Sequence, residues 1–297
     1  MRKAHEIENA RFIARQQSAS VKELKINLQP GRFIVCFDFT ENYAFVVQNS
    51  VQSFHWNNNQ ATIFTVVIYY VKNGELKHRS LAIISDNLAH DTYSVHQYQK
   101  IIIEYLKKNF ELVTNIFYVT DGASQHFKNK SNFTYLVAHE KDFGVVAEWH
   151  FHATAHGKGA CDGVGANLKR GAKQATLQCS SQHHILTLQS LFKWAKKYCK
   201  EIKVFFSGEG VYEQVKNELK LRFDMNTDPI PGTLQSHAFI PTSDSLLMFK
   251  KYSLASEYNI FPQKRGHRKE RVRSPREERP RQRKTLRQNR KQRNVLR

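Results

Sequence analysis

The sequence predicts an α/β protein in which helices flank a mixed sheet. Two near-continuous apolar runs, 32–39 and 116–120, are typical of strands that are buried on both faces. Between them, residues 94–109 repeat apolar side chains with the spacing of a helix. Strands that alternate with helices in this way favour an α/β sheet.

The predicted elements begin with a charged helix that ends at Pro30-Gly31. The strand 32–39 comes next, and Asn73-Gly74 then forms the turn of a hairpin between two β-rich segments. The alternating part of the chain follows, and its last helix opens within 156–165 and runs to about Gln174. Beyond it the pattern predicts a helix at 185–200, a strand at 203–207, a helix at 211–222 and a small β element at 234–252.

We therefore divide the chain into an N-terminal helix (1–30), an α/β core (31–178), a small α+β extension (179–262) and a basic tail (263–297). The tail has 16 Lys and Arg against 3 Glu and almost no apolar residues, so we expect it to be disordered. It also carries most of the net charge of +20.

This charge predicts DNA, or RNA, as a partner, because Lys and Arg bind phosphates with release of counterions. The Lys/Arg runs are also typical of nuclear localisation signals, so we expect the protein in the nucleus, or otherwise in the cytoplasm. No apolar run is long enough to span a bilayer, and we expect no membrane partner.

Three aspartates occupy positions from which they can form one site. Asp38 lies in the first apolar strand, Asp121 follows the second, and Asp162 lies in a glycine-rich segment. If the two strands are parallel neighbours, both carboxylates emerge at the edge where open α/β sheets bind ligands. Clustered carboxylates repel one another unless cations neutralise them. Oxygen ligands favour Mg²⁺ or Mn²⁺, and two such ions about 4 Å apart support displacement at phosphorus.

Each aspartate also has a structural interpretation. An Asp-Gly pair after a strand, as at Asp121, is a common turn signal, and Asp162 could be a helix N-cap. Asp38 is harder to explain in this way. Burying a carboxylate between two phenylalanines in a strand costs free energy unless a partner offsets its charge. Glu41 is either a fourth ligand or a surface residue.

Basic residues near the aspartates are candidates for nucleic-acid contacts. Lys128 and Lys130 follow Asp121, and Lys158 lies among glycines that let the backbone approach a phosphate. Lys169 and Arg170 extend this set along the next helix. The alternative is a solvated basic surface. The GxxxxGK[ST] order of a Walker loop is absent.

Histidines offer a competing metal site. Period 2 places Glu148, His150 and His152 on one strand face, with His156 shortly after, and such a group would bind zinc or iron. In a milder version, His152 or His156 orients a ligand or moves a proton near Asp162. The four cysteines form no CxxC pair, so no disulfide framework is indicated. Cys179 with His183 and His184 is a further alternative for a metal.

Several segments resemble a large group of animal proteins that look like descendants of DNA transposons with an RNase H-like catalytic core. They are DFTENY (38–43), QSFHW (52–56), DGA (121–123), EWHF (148–151) and HGKGACDG (156–163). The resemblance covers most of residues 1–260. It implies a core sheet of order 3-2-1-4-5 and, by analogy with DDE/D transposases, Asp38, Asp121 and Asp162 as the catalytic, metal-binding triad. It also implies a cysteine/histidine DNA-binding module ahead of the core, and residues 1–30 contain none.

Functions of three classes follow. The first is a nuclear RNase H-like nuclease or strand transferase that acts on DNA phosphodiesters with two divalent ions. The second is a catalytically silent nucleic-acid-binding protein that keeps the fold and the basic tail. The third is a zinc or iron enzyme that uses the histidine strand.

Overall fold

The structure, a computed structural model, describes residues 2–46, 59–153, 159–178, 184–225, 229–243 and 246–262. Its helices are α1 (Arg2–Ile26), α2 (Thr92–Asn109), α3 (Lys130–Phe143), α4 (Ala160–Gln178), α5 (Leu188–Tyr198) and α6 (Glu209–Met225). Its strands are β1 (Arg32–Phe39), β2 (Tyr43–Ala44), β3 (Gln60–Lys72), β4 (Glu75–Ser85), β5 (Asn115–Thr120), β6 (Val146–Phe151), β7 (Ile202–Ser207), β8 (Ala238–Ser243), β9 (Leu246–Lys250) and β10 (Asn259–Pro262).

Within the described residues, these strands form one sheet of order β10-β9-β8-β6-β5-β1-β3-β4-β7, and the short β2 pairs with β3. Parallel pairs join β1 to β5, β5 to β6 and β4 to β7, and the other pairs are antiparallel. The predicted α/β class with a mixed sheet flanked by helices is confirmed.

The local signals of the sequence account for the central strands. β1 spans the predicted Arg32–Phe39. The β3–β4 hairpin turns at Asn73 and Gly74, which have φ values of 55° and 76°. Asn and Gly adopt these positive φ angles more easily than other residues, which is why Asn-Gly marks such hairpins.

Alternate residues of β1 face opposite sides of the sheet. Phe33, Val35 and Phe37 pack with residues of α2 and α3, and we call this side the α2/α3 face. Ile34 packs with α1, and Cys36 packs with both α1 and α4, so we call the other side the α1/α4 face. The main apolar core lies under α2 and α3 and includes many buried aromatic side chains.

The segment 179–262, which we predicted as an extension, continues the same sheet at both edges. β7 pairs with β4, while β8 pairs with β6 and leads to β9 and β10. β10 lies beyond the predicted β element, which ended at residue 252. The described residues all belong to the compact unit Met1–Gly266, and the predicted disorder of 263–297 lies outside them. No helix among the described residues has the length and apolarity to cross a membrane.

Candidate functional site

Asp38 and Asp121 lie level with each other on neighbouring strands. β1 and β5 are parallel, with Cys36 opposite Val119. Two residues further along this register, Asp38 is level with Asp121, and paired strands are about 4.8 Å apart. Asp38 comes two positions after Cys36, and Asp121 comes two positions after Val119. Because Cys36 and Val119 lie on the α1/α4 face, the two aspartates belong to the same face. The predicted parallel pairing of their strands is confirmed.

The same row continues onto the strands on either side. Thr65 of β3 is paired with Asp38, and its hydroxyl donates to the Asp38 carbonyl oxygen at 3.3 Å. On β6, Phe151 is paired with Thr120, which puts His152 level with Asp121. The His152 backbone N–H donates to the Thr120 carbonyl at 2.8 Å. A polar row therefore runs across β3 and β1 and just past the ends of β5 and β6, in the order Thr65, Asp38, Asp121, His152.

Asp162 comes to this row because α4 approaches the end of β1 closely. A Cβ atom at Gly165 would lie 2.4 Å from Cγ2 of Thr40, so only glycine allows this contact. Asp162 lies about one turn before Gly165 and is exposed. Its Oδ2 accepts a hydrogen bond from the Gly159 N–H at 3.0 Å, which is half of a capping box. Asp162 therefore caps the helix from its third position and is not the N-cap.

The electrostatics of Asp38 connect the three predicted ligands. Its pKa is raised from 3.8 to about 7, first by burial and then by repulsion from Asp121. A backbone hydrogen bond from Phe39 acts in the opposite direction, and Asp162 adds further repulsion. The carboxylates of Asp121 and Asp162 therefore both contribute to the electrostatic environment of Asp38.

Two free thiols, those of Cys36 and Cys161, lie near Asp38. Burial raises the pKa of Cys36 to about 11. Burial also raises the pKa of the Cys161 thiol, and the nearby Cys36 and Asp38 raise it further. Both thiols are therefore neutral near pH 7 and add no charge near Asp38.

Two imidazoles lie near Asp121. Burial lowers the pKa of His152. The charge of Asp121 partly offsets this effect, and the charge of Lys25 lowers the pKa further. Burial also lowers the pKa of His126, again partly offset by Asp121 and Asp91. His152 was a predicted auxiliary residue, whereas His126 was missed. Its position in the loop that follows the strand-ending Asp121 is the signal that could have revealed it.

The histidine strand has a different arrangement from the predicted zinc or iron site. Nδ1 of His150 is 2.8 Å from the Ser253 hydroxyl, and Nε2 is 3.2 Å from the Glu148 carboxylate. Both ring nitrogens of His150 therefore have protein partners. Among the described residues, no three His, Cys, Asp or Glu side chains form a ready-made metal group. His156, Cys179 and His183 lie outside the described residues.

The basic residues that we predicted as nucleic-acid contacts differ in their exposure. Lys128 is buried, and its ammonium donates to the Leu234 carbonyl at 3.0 Å. Burial lowers the pKa of Lys128 to about 8. We predicted it at the surface, and its burial removes it from the candidate phosphate contacts.

Lys130 and Arg170 are exposed. Lys169 donates to the Glu41 backbone carbonyl at 3.1 Å and so joins α4 to the segment after β1. The Glu41 side chain is exposed, and Lys158 lies outside the described residues.

A family model described as Domain of unknown function (DUF8701) matches residues 17–253. The chain belongs to this family. The part matched by DUF8701 contains Asp38, Asp121 and Asp162 and every strand from β1 to β9. No curated protein and no solved structure matches the chain.

Proposed function

We propose that this DUF8701 protein is an RNase H-like, metal-dependent nuclease or strand transferase that acts on DNA phosphodiesters. The observation that carries the proposal is the register of the parallel strands β1 and β5, which brings Asp38 and Asp121 level with each other. Repulsion from Asp121 and from Asp162 of α4 also contributes to the raised pKa of Asp38. These residues come from distant parts of the chain, so their proximity is a property of the fold. Gathered carboxylates destabilise a metal-free protein and favour cation binding.

The topology of the sheet supports the RNase H-like part of the proposal. The strands β4-β3-β1-β5-β6 are adjacent in that order. If the two-residue β2 is set aside, these are the third, second, first, fourth and fifth strands of the chain. β4, β3 and β1 are antiparallel neighbours, and β5 and β6 run parallel to β1. We base the RNase H-like part of the proposal on the likeness of this order to the order 3-2-1-4-5 that the resemblance implies.

The donor set suits hard divalent ions. Asp38 and Asp121 would hold Mg²⁺ or Mn²⁺ from adjacent strands, and Asp162 would close the site from α4. Two such ions, when bound, supply activation of a water or 3′-hydroxyl and stabilisation of the leaving oxygen. His152 is level with Asp121 and has a lowered pKa, so its neutral imidazole can orient a ligand or accept a proton there.

The exposed Lys130 and Arg170, together with the tail 263–297, would supply phosphate contacts. These contacts are independent of base sequence and release counterions. In this proposal the tail provides general affinity for DNA, while the carboxylate row supplies the reaction.

The second candidate is a catalytically silent nucleic-acid-binding protein. Asp162 favours it, because one carboxylate oxygen already accepts from Gly159 and the side chain is exposed. The described residues also contain no ready-made metal group of three side chains. A chain of this kind would keep the fold and the basic residues without holding the ions.

The deciding experiment is cleavage of labelled DNA with Mg²⁺ or Mn²⁺ by the wild type and by Asp121→Asn. We expect Asp121→Asn to lose about 100-fold or more in rate, because it removes a charged ligand of the ions that would stabilise the reacting phosphate. Glu104→Gln, an exposed change on α2, is the matched control and should cleave like the wild type.

Equal cleavage by the wild type and Asp121→Asn would remove Asp121 from the mechanism. DNA binding without cleavage by the wild type would favour the silent protein. Metal binding is measured separately as the rise in Tm on adding Mg²⁺, which Asp121→Asn should reduce, because an ion that binds only the folded state stabilises it.

A further inference from the structure

A cavity of about 600 Å³ lies at the edge of the sheet that β7 forms among the described strands, near the start of β7. Its walls come from β4, the last turn of α5, the turn before β7 and Tyr105 of α2. β7 is three strands away from β1, a lateral distance of roughly 14 Å at ordinary strand spacing. Arg79 alternates with Leu81 and Ile83 and so lies on the α2/α3 face, opposite to Asp38. The cavity is therefore separate from the carboxylate row.

The charges around this cavity are strongly unbalanced. Arg79, Lys196, Lys200 and Lys203 line it, and Glu201 is the single acidic lining residue. The ion pairs found among the described residues join Lys77 to Glu75, Lys216 to Glu213 and His150 to Glu148, so none involves a lining residue. Like charges around a concave surface produce a strong local potential that attracts anions.

Arg79 is held in place before any ligand arrives. Its Nη1 donates to the Tyr105 hydroxyl at 3.0 Å, and its Nε donates to the Tyr70 hydroxyl at 3.4 Å. Both tyrosines are buried. A guanidinium has five N–H donors in one plane, so the groups not used by the tyrosines keep a fixed direction. Such preorganisation favours binding of phosphate oxygens.

We propose that this cavity binds a compact polyphosphate, such as the triphosphate group of a nucleotide. Its volume falls in the range of about 300–1,000 Å³ that is typical of small-ligand sites. A duplex backbone spreads its phosphates along a line and suits a basic stripe, whereas several cations around one concavity suit phosphates joined in a short chain. The site needs no metal at Asp38 and does not depend on the proposed nuclease activity.

The test uses the full chain and maps lysine acylation by mass spectrometry, with and without inorganic triphosphate. Protection should appear at Lys196, Lys200 and Lys203 at lower triphosphate concentrations than at lysines of the basic tail. Lys193, which is exposed on α5 and does not line the cavity, is the internal control and should stay reactive. ATP should protect the same lysines, and adenosine should not.

Calorimetric titration with triphosphate then measures the contribution of single side chains. Arg79→Gln should weaken binding at the cavity by about tenfold or more, because it removes a positioned charge. Lys193→Gln should change it by less than about twofold, and Glu201→Gln should strengthen it, since it removes repulsion. Tyr105→Phe keeps the Arg79 charge and loses its anchor, so we expect a smaller loss than for Arg79→Gln.

Two results would overturn the proposal. One is equal acylation of Lys196, Lys200 and Lys203 in the absence and presence of millimolar triphosphate. The other is protection of these lysines by a DNA oligonucleotide and not by triphosphate, which would make the cavity part of a nucleic-acid surface. Asp121→Asn should bind triphosphate like the wild type, so failure of this site and failure of the proposed nuclease are distinguishable.

Discussion

The two faces of the central sheet differ in how their polar groups are neutralised. On the α2/α3 face, His139 is buried between the Tyr118 hydroxyl, at 2.9 Å, and the Val145 carbonyl, at 2.7 Å. The indole N–H of Trp149 donates to the Thr120 hydroxyl at 2.9 Å. These groups have neutral partners inside a core of aromatic side chains.

On the α1/α4 face, repulsion from the Asp121 and Asp162 carboxylates acts on Asp38, and the two thiols near it are neutral. Its pKa is raised to about 7, so ionisation there opposes folding. The α2/α3 face therefore buries neutral, hydrogen-bonded polar groups, whereas the α1/α4 face holds carboxylates that repel one another. Substitutions should therefore have opposite effects on the two faces.

The largest expected effect is on the α2/α3 face. Trp149 is 1% exposed and contacts the rings of Phe37 and Tyr118. Trp149→Ala should lower the free energy of unfolding by about 3–5 kcal/mol, because it leaves a large cavity. Urea unfolding followed by circular dichroism measures this change. Tyr198→Ala, at a side chain that is 61% exposed, is the control and should stay within about 0.5 kcal/mol. Equal losses for both variants would contradict the assignment of the core.

A second effect is a dependence of stability on pH that comes from His139. Burial lowers its pKa from 6.5 to about 4, so the folded protein favours the neutral imidazole. The contribution of His139 to the free energy of unfolding is therefore complete above pH 6.5 and is lost as the pH falls towards 4. Relative to His139→Gln, the wild type should lose about 2–3 kcal/mol over this range. Unfolding curves at several pH values measure the difference. His78→Gln, at an exposed position, should retain the wild-type slope. A parallel pH profile in His139→Gln and the wild type would count against this interpretation.

The carboxylate face should show the opposite slope. Because the pKa of Asp38 is raised, ionising its carboxyl group in the folded protein lowers the free energy of unfolding. This loss is absent below pH 3.8 and complete above about pH 7. Asp38→Asn should therefore stabilise the metal-free protein at pH 8 by about 1–3 kcal/mol, after allowance for partial solvent exposure. The gain should vanish near pH 4 and shrink when Mg²⁺ is added to the wild type. Glu104→Gln is the control, and an Asp38→Asn variant less stable than the wild type at pH 8 would refute the contrast between the faces.

The smallest expected effect concerns the approach of α4 to β1. Gly165→Ala should destabilise the protein by about 1–2 kcal/mol and weaken Mg²⁺ binding, because its Cβ would meet Thr40 and displace Asp162. Gly163→Ala in the same helix has open space and should be neutral or slightly stabilising, since alanine favours helices. Thermal unfolding with and without Mg²⁺ measures both variants. If the two alanines behave alike, close packing at Gly165 does not position Asp162.

The sequence was informative wherever a residue acts through its own strand or helix. Period 2 and apolar runs located β1 and β5, and Asn73-Gly74 located the hairpin, because these signals depend on backbone geometry within a few residues. The aspartates at the strand ends were therefore recognisable as a candidate site. The alternation of helices and strands was enough to predict the α/β class.

Other features depend on contacts between distant segments, and no local pattern contains them. Lys128 follows a predicted site residue, yet it is buried and donates to the backbone carbonyl of Leu234, 106 residues away. His150 has the spacing of a metal ligand, yet Ser253, 103 residues away, occupies one of its nitrogens. The cavity around Arg79 exists because β7 pairs with β4, a pairing between segments that are far apart in sequence.

Asp38 combines both kinds of information. The sequence by itself determined that a carboxylate lies in a buried strand, since apolar residues on both sides leave it little access to water. Only the tertiary structure decided that Asp121 lies level with it and that Asp162 approaches from α4. The physical reason is that strand register and helix packing are set by side-chain contacts across the whole sheet, and repulsion between charges depends on the resulting distances.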